Sequence, residues 1–170
     1  MGIARDDRES LRGKIRQGLN ADVLVLSGGV SAGDLDLVPE VLDAAGVIAH
    51  FHKIRMKPGK PLFFGTLEAA GLDGALRSCL VFGLPGNPVS SAVCFELFVK
   101  PALLRMQGRA NLGHRTRPAR LAEATRIKGD RPTYFPGVWV EDAAKRACAA
   151  GSSVAVGRLG RSAHMRRGSV

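Results

Sequence analysis

The chain has 170 residues, 45% of them hydrophobic and 24% charged, enough for a real core in one medium-sized domain, or in one domain plus a fragment. Aromatic residues make up only 5%, which leaves little to stack nucleic-acid bases. The longest uncharged run, residues 78–95, is broken by Pro85-Gly86-Asn87-Pro88, which argues against a membrane-spanning helix. The net charge of +10 is unevenly placed: residues 1–108 carry 12 basic and 11 acidic side chains, residues 109–170 carry 13 and 4. Such a basic end can suit nucleic acid or an anionic surface, but an unremarkable tail is the simpler reading, so neither nucleic acid nor a membrane is expected as a partner. Cys79, Cys94 and Cys148 lack ligand spacing and are expected as buried small hydrophobes of a reducing cytosol.

Asp6 or Asp7 can cap a helix running to about Leu19, with Leu11, Ile15, Gly18 and Leu19 on one face. Val23 to Leu26 is a continuous apolar run, as expected for a strand buried on both faces. It enters Ser27-Gly28-Gly29-Val30-Ser31-Ala32-Gly33-Asp34, where three glycines allow positive φ and close approach of a ligand. The hydroxyls of Ser27 and Ser31 and the loop amides could bind an anion; an ordinary tight strand-to-helix turn would carry the same residues. A helix follows, with Asp36 as N-cap, Val38, Val41, Leu42 and Ala45 as its apolar stripe, and Gly46 as its stop.

Ala49 to Arg55 is expected as a strand, with His50 and His52 alternating on one face. His-x-His can be a metal pair, but a surface pair is the simpler reading. In Lys53-Ile54-Arg55-Met56-Lys57-Pro58-Gly59-Lys60-Pro61, Pro58-Gly59 suits the centre of a type II turn. Lys53, Lys57 and Lys60 around that bend would attract a phosphate or oxyanion, or simply face solvent. Two more strands are expected at Pro61–Thr66 and Ser78–Leu84, joined by a hairpin or excursion over Leu67–Arg77. Leu84-Pro85-Gly86-Asn87-Pro88 then repeats the logic of the first loop: a buried strand, a rigid turn, Asn87 as cap and Pro88 at the first helical position. Ser90 lies in that first turn. The helix from Pro88 is nearly all apolar, and Pro101 should bend it or end its first segment. After a linker at Gly108–His114, strands are expected at Arg117–Lys128 and Thr133–Glu141. From Arg146 periodicity is lost and no acid occurs, so residues 146–170 are expected to be disordered.

Three of these motifs, in this order, resemble molybdopterin molybdenumtransferase, the MoeA family that includes the C-terminal part of gephyrin: Ser27 to Asp34, Met56 to Pro61, and Leu84-Pro85-Gly86-Asn87-Pro88-Val89-Ser90-Ser91-Ala92. Gly2-Ile3-Ala4-Arg5-Asp6-Asp7 is similar to a further family segment. The resemblance implies an α/β fold: a three-layer, mostly parallel sheet, namely a MogA-like molybdopterin-binding domain over residues 1–108 that lacks its first strand. An incomplete small β domain would follow over 109–145, then the tail.

It also implies an activity. The family hydrolyses AMP from adenylylated molybdopterin and inserts molybdate into the dithiolene, as a homodimer. By that resemblance Asp36 would be the acidic catalytic residue and a Mg²⁺ ligand, and Lys53 and Lys57 would hold molybdate or phosphate oxygens. Asp34 matches an acidic position. Ser27, Gly28, Gly29, Ser31, Gly33 and Lys60, with Pro85, Gly86, Asn87 and Ser90, would line the pterin and nucleotide cleft. A second expectation is an inactive fragment or scaffold that keeps the binding fold.

Overall fold

The computed structural model describes residues 2–5, 7–30, 37–70, 76–112, 120–121, 130–141, 146–149 and 155–159. They form two compact units, Met1–Ile54 with Gly59–Val99, and Arg55–Pro58 with Lys100–Val170. The first unit contains α1 (Arg8–Gly18), β1 (Val23–Ser27), α2 (Leu37–Ala44), β2 (Ile48–His52), β3 (Phe63–Ala70), β4 (Leu76–Leu84), α3 (Pro88–Cys94) and a π-helical segment, Phe95–Val99.

Helix α1 starts where Asp7 accepts the Ser10 amide at 2.7 Å, so one of the amides orphaned at a helix start is satisfied by the side chain. Its stripe is inward as expected, with Ile15 and Gly18 buried. On α2, Val38, Val41 and Leu42 are buried, and the chain leaves the helix through Gly46 at φ 85°.

The sheet has the order β1-β4-β3-β2. The fold is α/β, but the sheet is mixed rather than mostly parallel: β1–β4 is the parallel pair, while β4–β3 and β3–β2 are antiparallel. Strands β1, β2 and β4 still point the same way. Strand β3 runs the other way, and its antiparallel pairing with β4 continues out to Ala70 opposite Leu76, which fits the hairpin alternative for the Leu67–Arg77 stretch.

One sheet face carries Leu24, Phe63, Cys79 and Val81, packed with Ile15, Val38, Val41 and Leu42 from the two helices. Side chains alternate along strands, so the opposite face carries Phe51, Phe64 and Phe82. Their ring centroids lie 5.5 Å (Phe51–Phe64) and 4.9 Å (Phe64–Phe82) apart, and Phe51 meets Phe98 of the π-helical segment at 6.4 Å. The result is a sheet covered on both faces, the three-layer arrangement. The expectation that β1 is buried on both faces fails: β1 is an edge strand among the described residues, and Val25 is 42% exposed. A four-residue apolar run does not distinguish a central strand from a one-faced edge. The π-helical segment lies just ahead of Pro101, which has no amide to continue an i→i−4 ladder.

The second unit contains α4 (Lys100–Met106), β5 (Arg120–Leu121), β6 (Thr133–Glu141), β7 (Arg146–Ala149) and β8 (Ala155–Leu159), with sheet order β5-β7-β6-β8. The β6 boundaries are those expected. The expected strand Arg117–Lys128 lies outside the described residues except for β5. Two strands occur where the composition suggests disorder: β7 pairs with Val138–Glu141 and β8 with Thr133–Gly137, both antiparallel. Such short runs have little preference of their own and become strands by pairing with a longer one. Among the described residues, no helix is long and apolar enough to cross a membrane.

Candidate anion-binding site

Because β1, β2 and β4 point the same way, Ser27, Leu84 and His52 end at one rim of the sheet, where β3 begins. The register makes this explicit. Leu26, Gly83, Phe63 and His52 form one row across all four strands. In the next row Ser27 pairs with Leu84, and the Lys53 amide donates to the Leu62 carbonyl at 2.9 Å. Both glycine loops, Lys53 and Lys60 therefore leave from the same edge of the sheet. This is the carboxyl end of its parallel pair, where open α/β sheets bind ligands.

The two loops touch. A Cβ built on Gly86 would lie 3.5 Å from the Gly28 Cα. The Gly28 amide donates to the Leu84 carbonyl at 3.0 Å, so that amide is spent on joining the loops rather than left for an anion. Gly28 and Gly29 have φ of 90° and 67°, values that only glycine adopts in succession at low cost. These turns fold the chain back so that Val30, 1% exposed, seats on the sheet end. Gly83 makes room for it: an added Cβ there would meet Val30 Cγ1 at 2.7 Å.

In the second loop Pro85 is buried and Gly86 and Asn87 are exposed. Asn87 Oδ1 accepts the Ser90 amide at 3.1 Å and the Ser90 hydroxyl at 3.3 Å. Both residues are thus engaged in capping α3, and the Ser91 hydroxyl donates to the Pro85 carbonyl. The loop is held internally, leaving the Asn87 side-chain amide as its outward polar group.

Strand β2 stops at His52, three residues before the expected end, because Lys53 takes a left-handed φ of 68°. Positive φ at a non-glycine residue costs about 1 kcal/mol and concentrates at functional positions. Lys53 and Lys60 are exposed, and among the described residues neither is in an ion pair. The type II turn expected at Pro58-Gly59 is displaced: the hydrogen-bonded turn is Gly59–Leu62, closed by the Leu62 amide on the Gly59 carbonyl at 3.2 Å. The Lys57 carbonyl, which would have closed the expected turn, instead accepts the Tyr134 amide at 2.7 Å within the second unit. Lys57 belongs to that unit, and its amide donates to the Pro132 carbonyl at 2.9 Å. Of the expected site residues, the rim thus assembles Ser27, Gly28, Gly29, Lys53, Lys60, Pro85, Gly86, Asn87 and Ser90. Ser31, Gly33, Asp34 and Asp36 lie outside the described residues.

The histidines do not pair. His50 Nε2 lies 2.8 Å from the Thr66 hydroxyl, whereas His52 Nε2 donates to the Val30 carbonyl at 2.8 Å. Among the described residues no group of three or more histidines, cysteines or acids could hold a metal ion. Cys79 and Cys94 are buried free thiols, as expected. Burial pushes the Cys94 thiol up to about 11 and raises that of Cys79 as well, so neither is poised as a nucleophile. What remains is a rim of loop backbone, hydroxyls and two amines, suited to an anionic oxygen ligand. Sequence reasoning missed Val30, Gly83 and His52. An imidazole at the end of a strand that faces a returning glycine loop is the signal that could have found the last.

Joined loops at the carboxyl end of a parallel strand pair, beside two exposed amines, make this an α/β domain whose rim suits an anionic ligand. Residues 1–105 match the family described as "Probable molybdopterin binding domain", and the chain belongs to that family. It is 41% identical over 116 residues to gephyrin of Dictyostelium discoideum, covering 64% of this chain and 16% of gephyrin. It is 36% identical over 110 residues to a molybdopterin molybdenumtransferase of Nostoc, covering 64% of this chain and 24% of that protein. For the Haemophilus influenzae molybdopterin molybdenumtransferase the identity is 45% over 88 residues, 52% of this chain and 19% of that one. The crystal structure of a molybdopterin biosynthesis MoeA protein from Pyrococcus horikosii superposes with a TM-score of 0.65 at 34% identity, over 89% of this chain and 34% of that chain. The chain therefore spans a quarter or less of the length of these curated relatives.

Proposed function

We propose that this chain works in molybdenum cofactor biosynthesis, holding the phosphate end of molybdopterin at the loop rim. The observation that carries the reading is the contact of Gly86 with Gly28 beside an exposed lysine with left-handed backbone, in a chain whose family is named for molybdopterin binding. The Gly29 and Val30 amides have no acceptor among the described residues, and with the Ser27 hydroxyl they offer donors to phosphate oxygens. Lys53 and Lys60 supply positive charge to them.

The finer reading is molybdopterin molybdenumtransferase activity in a cytoplasmic homodimer. Water attacks the adenylyl phosphorus of adenylylated molybdopterin, and the anhydride P–O bond breaks. AMP leaves, and the dithiolene takes molybdate as the substrate metal. Lys53 and Lys57 would steady the developing phosphate or molybdate charge. Asp36 would hold Mg²⁺, which neutralises anhydride oxygens when bound.

The test is to incubate the chain with adenylylated molybdopterin and molybdate, following retained pterin and released AMP. Retention with molybdate-dependent AMP release supports the transferase, with Asp36→Asn expected to abolish release and spare retention. Retention without release supports a binding module of the kind a scaffold would keep. Loss of both refutes the proposal.

A further inference from the structure

We infer that His52 is a positioning residue for the glycine loop, the far anchor that holds Ser27–Val30 over the end of the sheet. This rests on the reading of that loop as the phosphate site. The loop leaves β1 at one edge of the sheet, yet its Val30 carbonyl is bound by His52 of β2 at the other edge. Three strand spacings of about 4.8 Å separate those edges, roughly 14 Å. Three Cα steps from Ser27 to Val30 cover at most about 11 Å. The loop alone does not bridge the sheet; the imidazole reaching back from β2 closes the difference.

The intermediate supports are in place. Above β4 the missing Cβ of Gly83 leaves the seat for the Val30 side chain. Phe63 of β3 lies beside the imidazole, with ring centroids 5.9 Å apart in edge contact. A carbonyl only accepts, so Nε2 must carry the proton and the tautomer of His52 is fixed by the contact. Val30 is almost fully buried, so water cannot replace the imidazole at low cost. Gly28 and Gly29 are the most easily disordered kind of residue. Both sit between two fixed ends: the Gly28 amide on the Leu84 carbonyl, and the Val30 carbonyl on His52. Releasing the second end would leave the Val30 side chain on Gly83 as the far end's remaining hold, free to turn about that contact, and the Gly29 and Val30 amides would lose their common direction.

The experiment uses the whole chain and two variants. His52→Leu keeps the apolar contact with Phe63 and removes the donor. His52→Gln places an amide N–H at similar reach. In the unliganded proteins, backbone order parameters at Gly29 and Val30 are measured by NMR relaxation. In parallel, calorimetry with inorganic pyrophosphate measures anion affinity. For His52→Leu, the order parameters of these two residues should fall from about 0.85 to below about 0.6 with those in β3 and β4 unchanged, and pyrophosphate affinity should fall about tenfold. His52→Gln should restore the parent order parameters and bring affinity to within about twofold of the parent. Unchanged Gly29 and Val30 order parameters in His52→Leu overturn the anchor, as does a uniform fall across the sheet, which would mark ordinary destabilisation. If the parent chain fails to bind pyrophosphate while the order-parameter contrast persists, the anchor stands and the phosphate reading of the loop falls.

Discussion

The seat of Val30 on Gly83 gives the sharpest stability experiment. A methyl added at position 83 would sit 2.7 Å from Val30 Cγ1 and 3.1 Å from Phe63 Cβ. Neither neighbour can yield freely: Phe63 is 3% exposed in the core, and Val30 is β-branched and 1% exposed. Gly83→Ala should therefore cost about 2 kcal/mol as overpacking. Val30→Ala removes two buried methyl groups and should also cost about 2 kcal/mol, from transfer and cavity together. Independent effects would sum to about 4 kcal/mol. Here the new methyl falls in the volume that Val30 vacates, so the double variant should lose only about 2 kcal/mol, a coupling of roughly 2 kcal/mol. Urea denaturation followed by far-ultraviolet circular dichroism measures all four proteins. Additivity within about 0.5 kcal/mol would refute the claim that the loop is seated through this contact.

Other expectations concern charge and burial. Lys53→Gly relieves the left-handed backbone, worth about 1–2 kcal/mol, against a glycine entropy cost of about 0.5–1 kcal/mol. Stability should hold or rise slightly in thermal melts while pyrophosphate affinity drops about tenfold; a clear loss of stability would contradict the strain argument. Burial moves the Cys94 thiol from 9.0 up to about 11, so the unfolded chain loses its proton first. Stability is then full below about pH 9 and should fall by roughly 2–3 kcal/mol as pH rises to 11. Cys94→Ala should flatten that decline, with Cys79, shifted in the same direction, accounting for part of what remains. Arg8 holds Glu40 through two contacts of 2.5 and 2.9 Å, but both side chains are more than half exposed. Glu40→Gln should therefore cost under about 1 kcal/mol, and less in high salt.

Much of this was legible in the sequence where signals are local. The cap at Asp7, the stop at Gly46, the cap at Asn87 and the extent of β6 each follow from side chains acting within a few residues. The convergence of the two glycine loops was legible too, because loops that follow parallel strands leave at the same end. What could not be read depends on partners far along the chain. The end of β2 is set by the φ of Lys53, which no composition rule forecasts. The turn at Gly59–Leu62 replaces the expected one because Tyr134, more than 70 residues on, takes the Lys57 carbonyl. His52 looked like half of a surface pair, since nothing local says that a loop leaving the opposite edge returns to it. Strands β7 and β8 form against β6 from runs too short to announce themselves.

The central claim is that the loop rim of the first unit is where the ligand's phosphate sits. The direct measurement is an NMR titration of the isotope-labelled chain with molybdopterin, following backbone amide shifts. Gly28, Gly29, Val30, Lys53 and Gly86 should move together along one saturable curve. Shifts confined to the β5–β8 sheet, or no shifts at all at saturating molybdopterin, would contradict it.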